Sequence, residues 1–232
     1  MILILFLLTL AADTQTAGAD VATLAILDRY VSAVGGEASL RAISTRITDG
    51  HFDNGRGLST RFRIYEQAPN RRATVIGTHA IESAEGSGRG YDGAAGWDKN
   101  FIGTGLRNVT GQELTDLARD SDTLRPLRVG RDCETLTREN PVGATAVLRC
   151  QFPANRAVRY FFNRESGLLE RQESPIVDGT LTTHFEDYRV VDGVRLPFKT
   201  RIVLPAATIV YTTEQIRHNV PIEERVFRRP DK

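Results

Sequence analysis

"TLTTHFEDYRVVDGVRLPFKTRIVLPAATIVYTTEQIR", residues 180–217, is the stretch that decides the fold class. It contains three runs in which β-branched and aromatic residues are frequent, and the two breaks between them, Asp192-Gly193 and Pro205-Ala206, carry turn residues. Runs of this composition joined by short turns predict consecutive antiparallel strands in hairpins. The three predicted strands span 180–190, 194–204 and 207–217.

Similar strand signals occupy most of the chain before these hairpins. In 58–66, for example, Phe62 and Ile64 point to one face while Arg61 and Arg63 point to the other. The whole pattern predicts a mainly β (α+β) fold, a large curved antiparallel sheet or unclosed β-barrel with a few helices as a lid. The other predicted strands span 44–52, 58–67, 71–77, 131–138, 144–152, 157–163 and 167–174.

A helix is predicted over 20–34, before the first strand. Asp20 is a candidate N-cap, Gly35-Gly36 ends the helix, and 37–43 adds a second short helical turn. An amphipathic helix followed by a glycine break is typical of an element that packs onto a sheet. Its predicted apolar side comprises Val21, Leu24, Ala25, Leu27, Tyr30, Val31 and Val34.

A second helix is predicted in the middle of the chain. Thr110 and Glu113 have the spacing of a capping box, in which the two side chains bond each other's backbone N–H groups. Pro126 is predicted to end this helix, because proline cannot continue the hydrogen-bond ladder. Its apolar stripe comprises Leu114, Leu117 and Ala118.

The stretch "YDGAAGW", 91–97, contains the only tryptophan of the chain. Asp-Gly also occurs at 49–50, 178–179 and 192–193, mostly between predicted strands, so this step indicates turn geometry rather than chemistry. We therefore predict a hairpin with Tyr91 and Trp97 on its two strands and no catalytic role for Asp92. The pattern leaves open whether Trp97 packs in the core or lines a ligand cavity.

The two cysteines, Cys133 and Cys150, lie equally far from the predicted turn 140–143. Folding about that turn sets them opposite each other on neighbouring strands, where a disulfide can form. An even cysteine count in an exported chain also favours a disulfide over two buried free thiols. Such a bond would stabilise the fold by about 3 kcal/mol in the chain-entropy model.

The amino terminus resembles a secretory signal. An apolar run over 2–8 is shorter than the roughly 20 residues of a membrane-spanning helix, and Ala17-Gly18-Ala19 is an A-x-A cleavage site. A cut near Ala11 or an uncleaved amino-terminal anchor are the alternatives. We expect a signal peptide over 1–19, a single domain over 20–232 and no stable membrane span after cleavage.

Charge and motifs exclude several classes of function. Thirty basic and 29 acidic residues give a net charge of +1, and the arginines are scattered along strands, so no nucleic-acid interface is predicted. No metal motif or nucleophile elbow is present, although histidines from distant strands could still meet. We expect no catalytic residue, metal or cofactor. The weaker candidates are His51, His79, His184 and His218 as ligands, and Glu165, Glu170, Glu173, Glu186 and Asp187 as a glycosidase acid pair.

Apolar and aromatic side chains on the strands are the remaining candidates for a site. A curved sheet that its few helices do not fill would leave an apolar hollow, which is the usual form of a ligand site. The alternative is that these side chains simply form the core. The predicted cavity-lining residues are Phe62, Ile64, Trp97, Tyr160, Phe162, Phe185, Phe198 and Tyr211.

Three segments carry a family resemblance: 30–52 (YVSAVGGEASLRAISTRITDGHF), 91–97 (YDGAAGW) and 185–202 (FEDYRVVDGVRLPFKTRI). In this order they resemble the exported, outer-membrane lipoprotein-sorting-like proteins of the LolA/LolB-like superfamily. The resemblance implies an unclosed antiparallel β-barrel with a helical lid around an apolar cavity. It also implies a periplasmic carrier that binds acyl chains without catalysis or cofactor. The sequence contains neither an Asp-Thr-Gly nor an Asp-Ser-Gly motif, so aspartic-protease activity is not implied.

Function is accordingly predicted to be binding and transport in the periplasm. The expected ligand is a lipid, a lipoprotein acyl chain or another apolar small molecule, and the expected protein partners are an acylated protein or an outer-membrane receptor. The alternative from another class is a cell-envelope interaction or assembly module without a ligand cavity, and a hydrolase of apolar esters ranks behind both.

Overall fold

The computed structural model describes residues 19–77, 87–99, 105–154 and 156–231. Nearly all of the predicted signal peptide, residues 1–18, lies outside the described residues, as does His79. The described helices are α1 (Val21–Ala33), α2 (Gly36–Arg41), α3 (Gly111–Asp120), α4 (Arg125–Arg128) and a 3-10 helix, Glu224–Val226. The strands are β1 (Thr45–Asp53), β2 (Ser59–Gln67), β3 (Arg71–Ile76), β4 (Ser87–Tyr91), β5 (Gly96–Lys99), β6 (Leu106–Val109), β7 (Thr135–Val142), β8 (Thr145–Phe152), β9 (Arg156–Asn163), β10 (Leu169–Ile176), β11 (Gly179–Val191), β12 (Val194–Leu204) and β13 (Ala207–His218).

Within these ranges the thirteen strands form one antiparallel sheet, in the order β6-β5-β4-β3-β2-β1-β13-β12-β11-β10-β9-β8-β7. The first and last strands pair in the middle. From β1 the chain runs outward to the edge strand β6, crosses through α3 and α4 to the opposite edge strand β7, and returns to β13. The two edges do not pair, so the predicted unclosed sheet with a few helices is confirmed.

Successive side chains of each strand point to opposite faces of the sheet, and the two faces differ in that the helices pack on one of them. A Cβ on Gly96 would touch Leu114 and Leu117 of α3, whereas the next residue, Trp97, points the other way. We call the side that carries the helices the helical face and the other side the outer face. Following the strand register from Gly96 through Tyr91 and its partners assigns every paired residue to one of the two.

Helix α1 begins and ends where the sequence predicts. The Asp20 carboxylate accepts a hydrogen bond from the N–H of Thr23 at 2.6 Å, and the helix ends just before Gly35, which has a φ of 120°. The predicted apolar side is wrong in part. Val21 is 85% exposed, and Ala25 is exposed as well, because the buried stripe is rotated toward Thr23. That stripe is Thr23, Leu27, Tyr30 and Val34.

The largest core lies between α1 and α2 and the helical face of strands β7 to β10 and β12. The disulfide Cys133–Cys150 is present, with a Cα–Cα distance of 5.4 Å. The predicted register is wrong, however: Leu136 faces Cys150, and Cys133 precedes the strand. The hairpin turns at Gly143-Ala144, so 140–142 belongs to β7 and the pairing shifts by three residues.

Helix α3 begins after Thr110 as predicted, but the predicted capping bond and the predicted carboxyl-terminal end are wrong. Thr110 makes no side-chain capping bond, because Glu113 pairs instead with Arg89 and Arg107. The helix ends at Asp120, before Pro126, and Pro126 lies in the first turn of the separate helix α4, where its missing N–H costs nothing. Ion pairs from the sheet have replaced the local cap.

The outer face carries paired charges over much of its width. Arg159 bonds Glu173 and Arg201 bonds Glu186 across neighbouring strands, and Arg159 also reaches over β8 to bond Glu139 of β7. These pairs are about one third exposed, as expected for a solvated strand face on which charges alternate in sign. The scattered arginines of the sequence are thereby explained.

Candidate ligand-binding site

Seven of the eight predicted cavity-lining residues lie on the helical face. The register connects Phe62 with Gly50, and Tyr211 with Phe52 and Thr200, across the centre of the sheet. The same register extends to the strands on the far side of β13. The seven are Phe62, Ile64, Tyr160, Phe162, Phe185, Phe198 and Tyr211.

These seven residues do not form one group. Tyr160 and Phe162 are buried beneath α1, and Phe185 packs against the same core, so these three contribute to ordinary packing. Phe62 packs edge-on against Tyr211, with the ring centroids 5.1 Å apart, and lies outside the core clusters that contain the helices. The remaining two are Ile64, which is half-buried, and Phe198, which is buried under the Arg189 guanidinium.

Trp97 lies on the outer face and is 1% exposed. Its indole Nε1 donates a hydrogen bond of 2.9 Å to the carbonyl of Phe227, and the ring packs with Ala73 and Phe227. The neighbouring turn is held by Asp92, whose carboxylate accepts the N–H groups of residues 94 and 95 at 2.9 and 2.8 Å. "YDGAAGW" is therefore a hairpin, as predicted, and Trp97 fastens the carboxyl-terminal segment to the outer face.

Half-buried apolar side chains line the central strands of the helical face. The helices contact the sheet mainly at β7 (α1), β12 (α2) and β5 (α3), which leaves β13, β1, β2, β3 and β4 between the contacts of α2 and α3. Gly50 lets the ring of Phe62 lie flat against β1, because a Cβ there would come within 2.8 Å of that ring. The central apolar strip is our name for the half-buried residues together with Phe62, which is 1% exposed and lies beneath them: Phe62, Ile64, Ile76, Ile202, Ile209 and Tyr211.

A charged cleft of about 360 Å³ lies beside this strip, between α3 and strands β3 and β4. A second cleft, of about 420 Å³, lies near β11 and includes one of the eight predicted cavity-lining residues, Phe185. Four of the weaker candidates also line it: Glu170, His184, Glu186 and Asp187. Neither cleft is the uniformly apolar hollow that the sequence suggested. The first, which we call the charged cleft, is lined by Arg72, Thr74, Arg89, Glu113, Asp116, Leu117, Asp120 and Arg125.

A buried carboxylate connects the charged cleft to the centre of the sheet. Glu66 bonds Arg46 at 2.6 Å and Arg72 at 3.0 Å. Burial opposes ionisation of Glu66, but the two guanidinium groups prevail and hold its pKa below the usual value. Burial also raises the pKa of Tyr30 to about 12, so this phenol beside the network stays neutral. At neutral pH the Glu66 carboxylate is therefore ionised and paired with both Arg46 and Arg72.

The sequence analysis proposed no site at the charged cleft, although Glu66, which pairs with the lining residue Arg72, did have a signal in the sequence. Glu66 follows Phe62 and Ile64 in the same alternating phase, so a charged side chain on the apolar face could have been recognised. Arg89 and Arg125 gave no such signal, because they come to Arg72 only through strand pairing and the α3–α4 crossing.

The described part of the chain contains neither a metal-ligand cluster nor a membrane-spanning helix. Among residues 19–77, 87–99, 105–154 and 156–231, no group of three or more His, Cys, Asp or Glu side chains could hold a metal ion. Within the same ranges, no helix is both long and apolar enough to cross a membrane.

Comparisons with known proteins place the fold. No protein-family model matches the sequence, and no curated protein matches it either. A DUF1329 family protein from Desulfovibrio piger shares the fold with a TM-score of 0.60 at 12% identity, over 89% of this chain and 97% of that one. A LolA superfamily protein from Nitrosomonas europaea has a TM-score of 0.56 at 14% identity, over 89% and 97%.

A third structure, a putative outer membrane lipoprotein-sorting protein domain from Vibrio parahaemolyticus, has a TM-score of 0.58 at 9% identity, over 88% of this chain and 95% of that one. At such low identities the similarity is one of fold. The resemblance that the three sequence segments predicted is thus confirmed at that level: this chain shares its fold with a LolA superfamily structure and a lipoprotein-sorting domain.

Proposed function

We propose that this protein is a periplasmic carrier or binding protein for a lipid, a lipoprotein acyl chain or another apolar molecule, and that it acts without catalysis. The observation that carries the proposal is the central apolar strip, whose side chains are mostly half-buried on the face where the helices pack to either side. The shared fold of a lipoprotein-sorting domain supports the same class of ligand.

The energetics suit a carrier. Transfer of an acyl chain of about 14 carbons from water to an apolar surface is worth up to roughly 11 kcal/mol, at about 0.8 kcal/mol per methylene. Partial cover would recover part of this free energy, enough to hold the ligand and still release it. The ring of Tyr211 is held against the buried ring of Phe62, so little side-chain entropy would be lost when a ligand packs on Tyr211.

Uptake of a neutral apolar dye, N-phenyl-1-naphthylamine, by residues 20–232 tests the proposal. Fluorescence should rise on binding, and organic extraction of protein purified from bacteria should yield lipid by mass spectrometry. A protein that takes up no dye and carries no lipid would rule out the carrier function.

Two neighbouring residues of β13 provide a matched pair of variants. Ile209 and Val210 are both half-buried, but Ile209 lies on the helical face and Val210 on the outer face. Ile209→Asn should weaken dye binding about tenfold, whereas Val210→Asn should leave it unchanged at a similar melting temperature. Equal losses in both variants would show that the dye does not bind on the central apolar strip.

Export is part of the proposal and has its own test. Residues 1–19 fused to a phosphatase that is active only outside the cytoplasm should give an active enzyme, because the segment has the apolar run and A-x-A site of a signal. An inactive fusion would place the protein in the cytoplasm and exclude a periplasmic carrier.

The alternative, a cell-envelope interaction module, is favoured by one observation. Strand β7 is an edge strand with mostly exposed side chains, so a partner strand could add to it. Crosslinking in whole cells separates the two functions: a specific protein adduct on β7, without bound lipid, supports the module.

A further inference from the structure

The charged cleft and the central apolar strip are continuous along β3. Arg72 and Thr74 line the cleft, and Ile76 follows on the same face two residues later, a rise of about 7 Å. Thr74 also pairs with Ile64 on the neighbouring strand β2. A molecule with a polar head and an apolar tail could therefore place the two parts in contact with both surfaces at once.

The cleft has an excess of positive charge. The lining itself is balanced, with three guanidinium groups and three carboxylates. The excess comes from the side chains that pair behind it, four more guanidinium groups, including Arg46, against two more carboxylates, including Asp98. The partners hold the cleft in shape, since each lining carboxylate is bonded to at least one arginine. These groups are Arg46, Arg72, Arg89, Arg107, Arg119, Arg125 and Arg156, with Glu66, Asp98, Glu113, Asp116 and Asp120.

The arginines can bind a further anion. Arg72 uses Nη1 for Glu66, and Arg89 uses Nη2 for Glu113. Within the described residues, the other terminal nitrogen of each guanidinium has no protein acceptor in a hydrogen bond. Both side chains are partly exposed, at 28% and 40%, where they line the cleft. Planar guanidinium groups with free N–H donors bind carboxylate or phosphate oxygens well.

We propose that the charged cleft binds the anionic head, a carboxylate or a phosphate, of a single-chain amphiphile whose tail lies on the central apolar strip. This inference rests on the proposed function, because it assigns the ligand class for the same strip. A cleft of about 360 Å³ accommodates a head of this size. The ligand's specificity would come from the arginines and most of its affinity from the tail.

Displacement of the bound naphthylamine dye by four twelve-carbon ligands tests the inference. Dodecanoate and dodecyl phosphate should displace the dye at about tenfold lower concentration than dodecanol, and dodecyltrimethylammonium should be weaker than dodecanol. High salt should reduce the preference for the anions, since the cleft is partly exposed.

The double variant Arg72→Gln/Arg89→Gln should lose most of that tenfold preference and bind dodecanol as before. In this variant Glu66 is still paired with Arg46, and Glu113 is still paired with Arg107. The fold should therefore be retained. Arg201→Gln is the matched control on the outer face, because it leaves Glu186 paired with Lys199 and should not change the preference.

The outcomes separate the two proposals. If dodecanol and the anions bind equally to the wild-type protein, the head site is wrong while the apolar site stands. If the wild-type protein binds no dye and no ligand, both are wrong. Calorimetry with inorganic phosphate is the last measurement, and phosphate should bind more weakly than dodecyl phosphate because it has no tail. Equal affinities would show a site for free anions and overturn the assignment of an amphiphile.

Discussion

The two faces of the sheet are built from the same strands and have different chemistry. On the helical face, apolar side chains pack beneath α1 and α2 and form the central apolar strip. On the outer face, cross-strand ion pairs dominate, and apolar packing is concentrated where the carboxyl-terminal segment covers Trp97. Apolar residues of the outer face are buried in two ways: Trp97 lies under the carboxyl-terminal segment, and Phe161, which is 1% exposed, lies under the guanidinium groups of Arg159 and Arg171.

This difference explains why the sheet can stay open. Where the outer face is uncovered, arginine and glutamate side chains alternate across it. These charges are solvated and disfavour association with strands of other molecules. On the helical face, the central apolar strip is the apolar surface that lies between the packed helices. The following variants test each part of this contrast, beginning with the largest expected loss of stability.

Trp97→Ala should have the largest effect. It removes the main apolar contact between the outer face and Phe227 and should lower the free energy of unfolding by about 4 kcal/mol. Urea denaturation measures the loss. Trp97→Phe keeps an aromatic ring against Phe227 but removes the hydrogen bond and part of the buried ring volume, so it should cost about 2 kcal/mol. Similar losses for the two variants would show that packing against Phe227 contributes little.

Removal of the disulfide tests the helical face. Cys133→Ala/Cys150→Ala should lower the free energy of unfolding by about 3 kcal/mol, because the bond closes a loop over a sequence separation of 17 residues next to the main core. The measurement is urea denaturation, with reduction of the wild-type protein as a second route to the same state. No change on reduction would mean that the α1 core is stable without the bond.

Asp49→Asn tests a buried ion pair on the outer face. Asp49 is buried between Arg63 and Arg217. Burial raises its pKa, but the two arginines outweigh burial and hold it below the usual 3.8. The stabilisation is therefore complete above about pH 4 and is lost as pH falls through the folded-state pKa.

At pH 7 we expect a loss of about 2 kcal/mol for Asp49→Asn. Urea denaturation at a series of pH values should show the difference from wild type shrinking below about pH 4. A difference that stays constant down to pH 2 would contradict the assigned ion pairs.

Arg201→Gln should have the smallest effect. Its pairs with Glu186 are about one third exposed, and Lys199 remains as a partner, so the loss should be under about 1 kcal/mol. Thermal unfolding at low and high salt checks this, and the difference should vanish at high salt. A loss as large as that of Asp49→Asn would show that the exposed pairs contribute as much as the buried one.

Much of the fold could be predicted because its signals are local. Strand alternation, the Asp192-Gly193 turn and the Asp20 cap each depend on neighbours a few residues away. In the structure Asp192 and Gly193 have φ of 48° and 80°, the values of a tight hairpin turn. The candidate site was harder: alternation grouped Phe62 with Ile64 on one face, but could not show which face the helices would cover.

The failed predictions show where local signals end. Thr110 and Glu113 have the spacing of a cap, yet arginines from β4 and β6 compete for the carboxylate and win, because charge-assisted bonds are stronger than a cap. The cysteine register failed because two adjacent turns were possible and only the paired strands select one.

By itself, the sequence determined an antiparallel sheet with hairpins, an amino-terminal helix, one disulfide and the absence of recognisable catalytic motifs, since each depends on short-range backbone preferences or on composition. Only the tertiary structure decided that Trp97 faces outward under Phe227, 130 residues away, and that the arginines of β3, β4 and α4 meet beside an apolar strip. Such contacts join parts of the chain that are remote in sequence, and their geometry is fixed only when the whole sheet has paired.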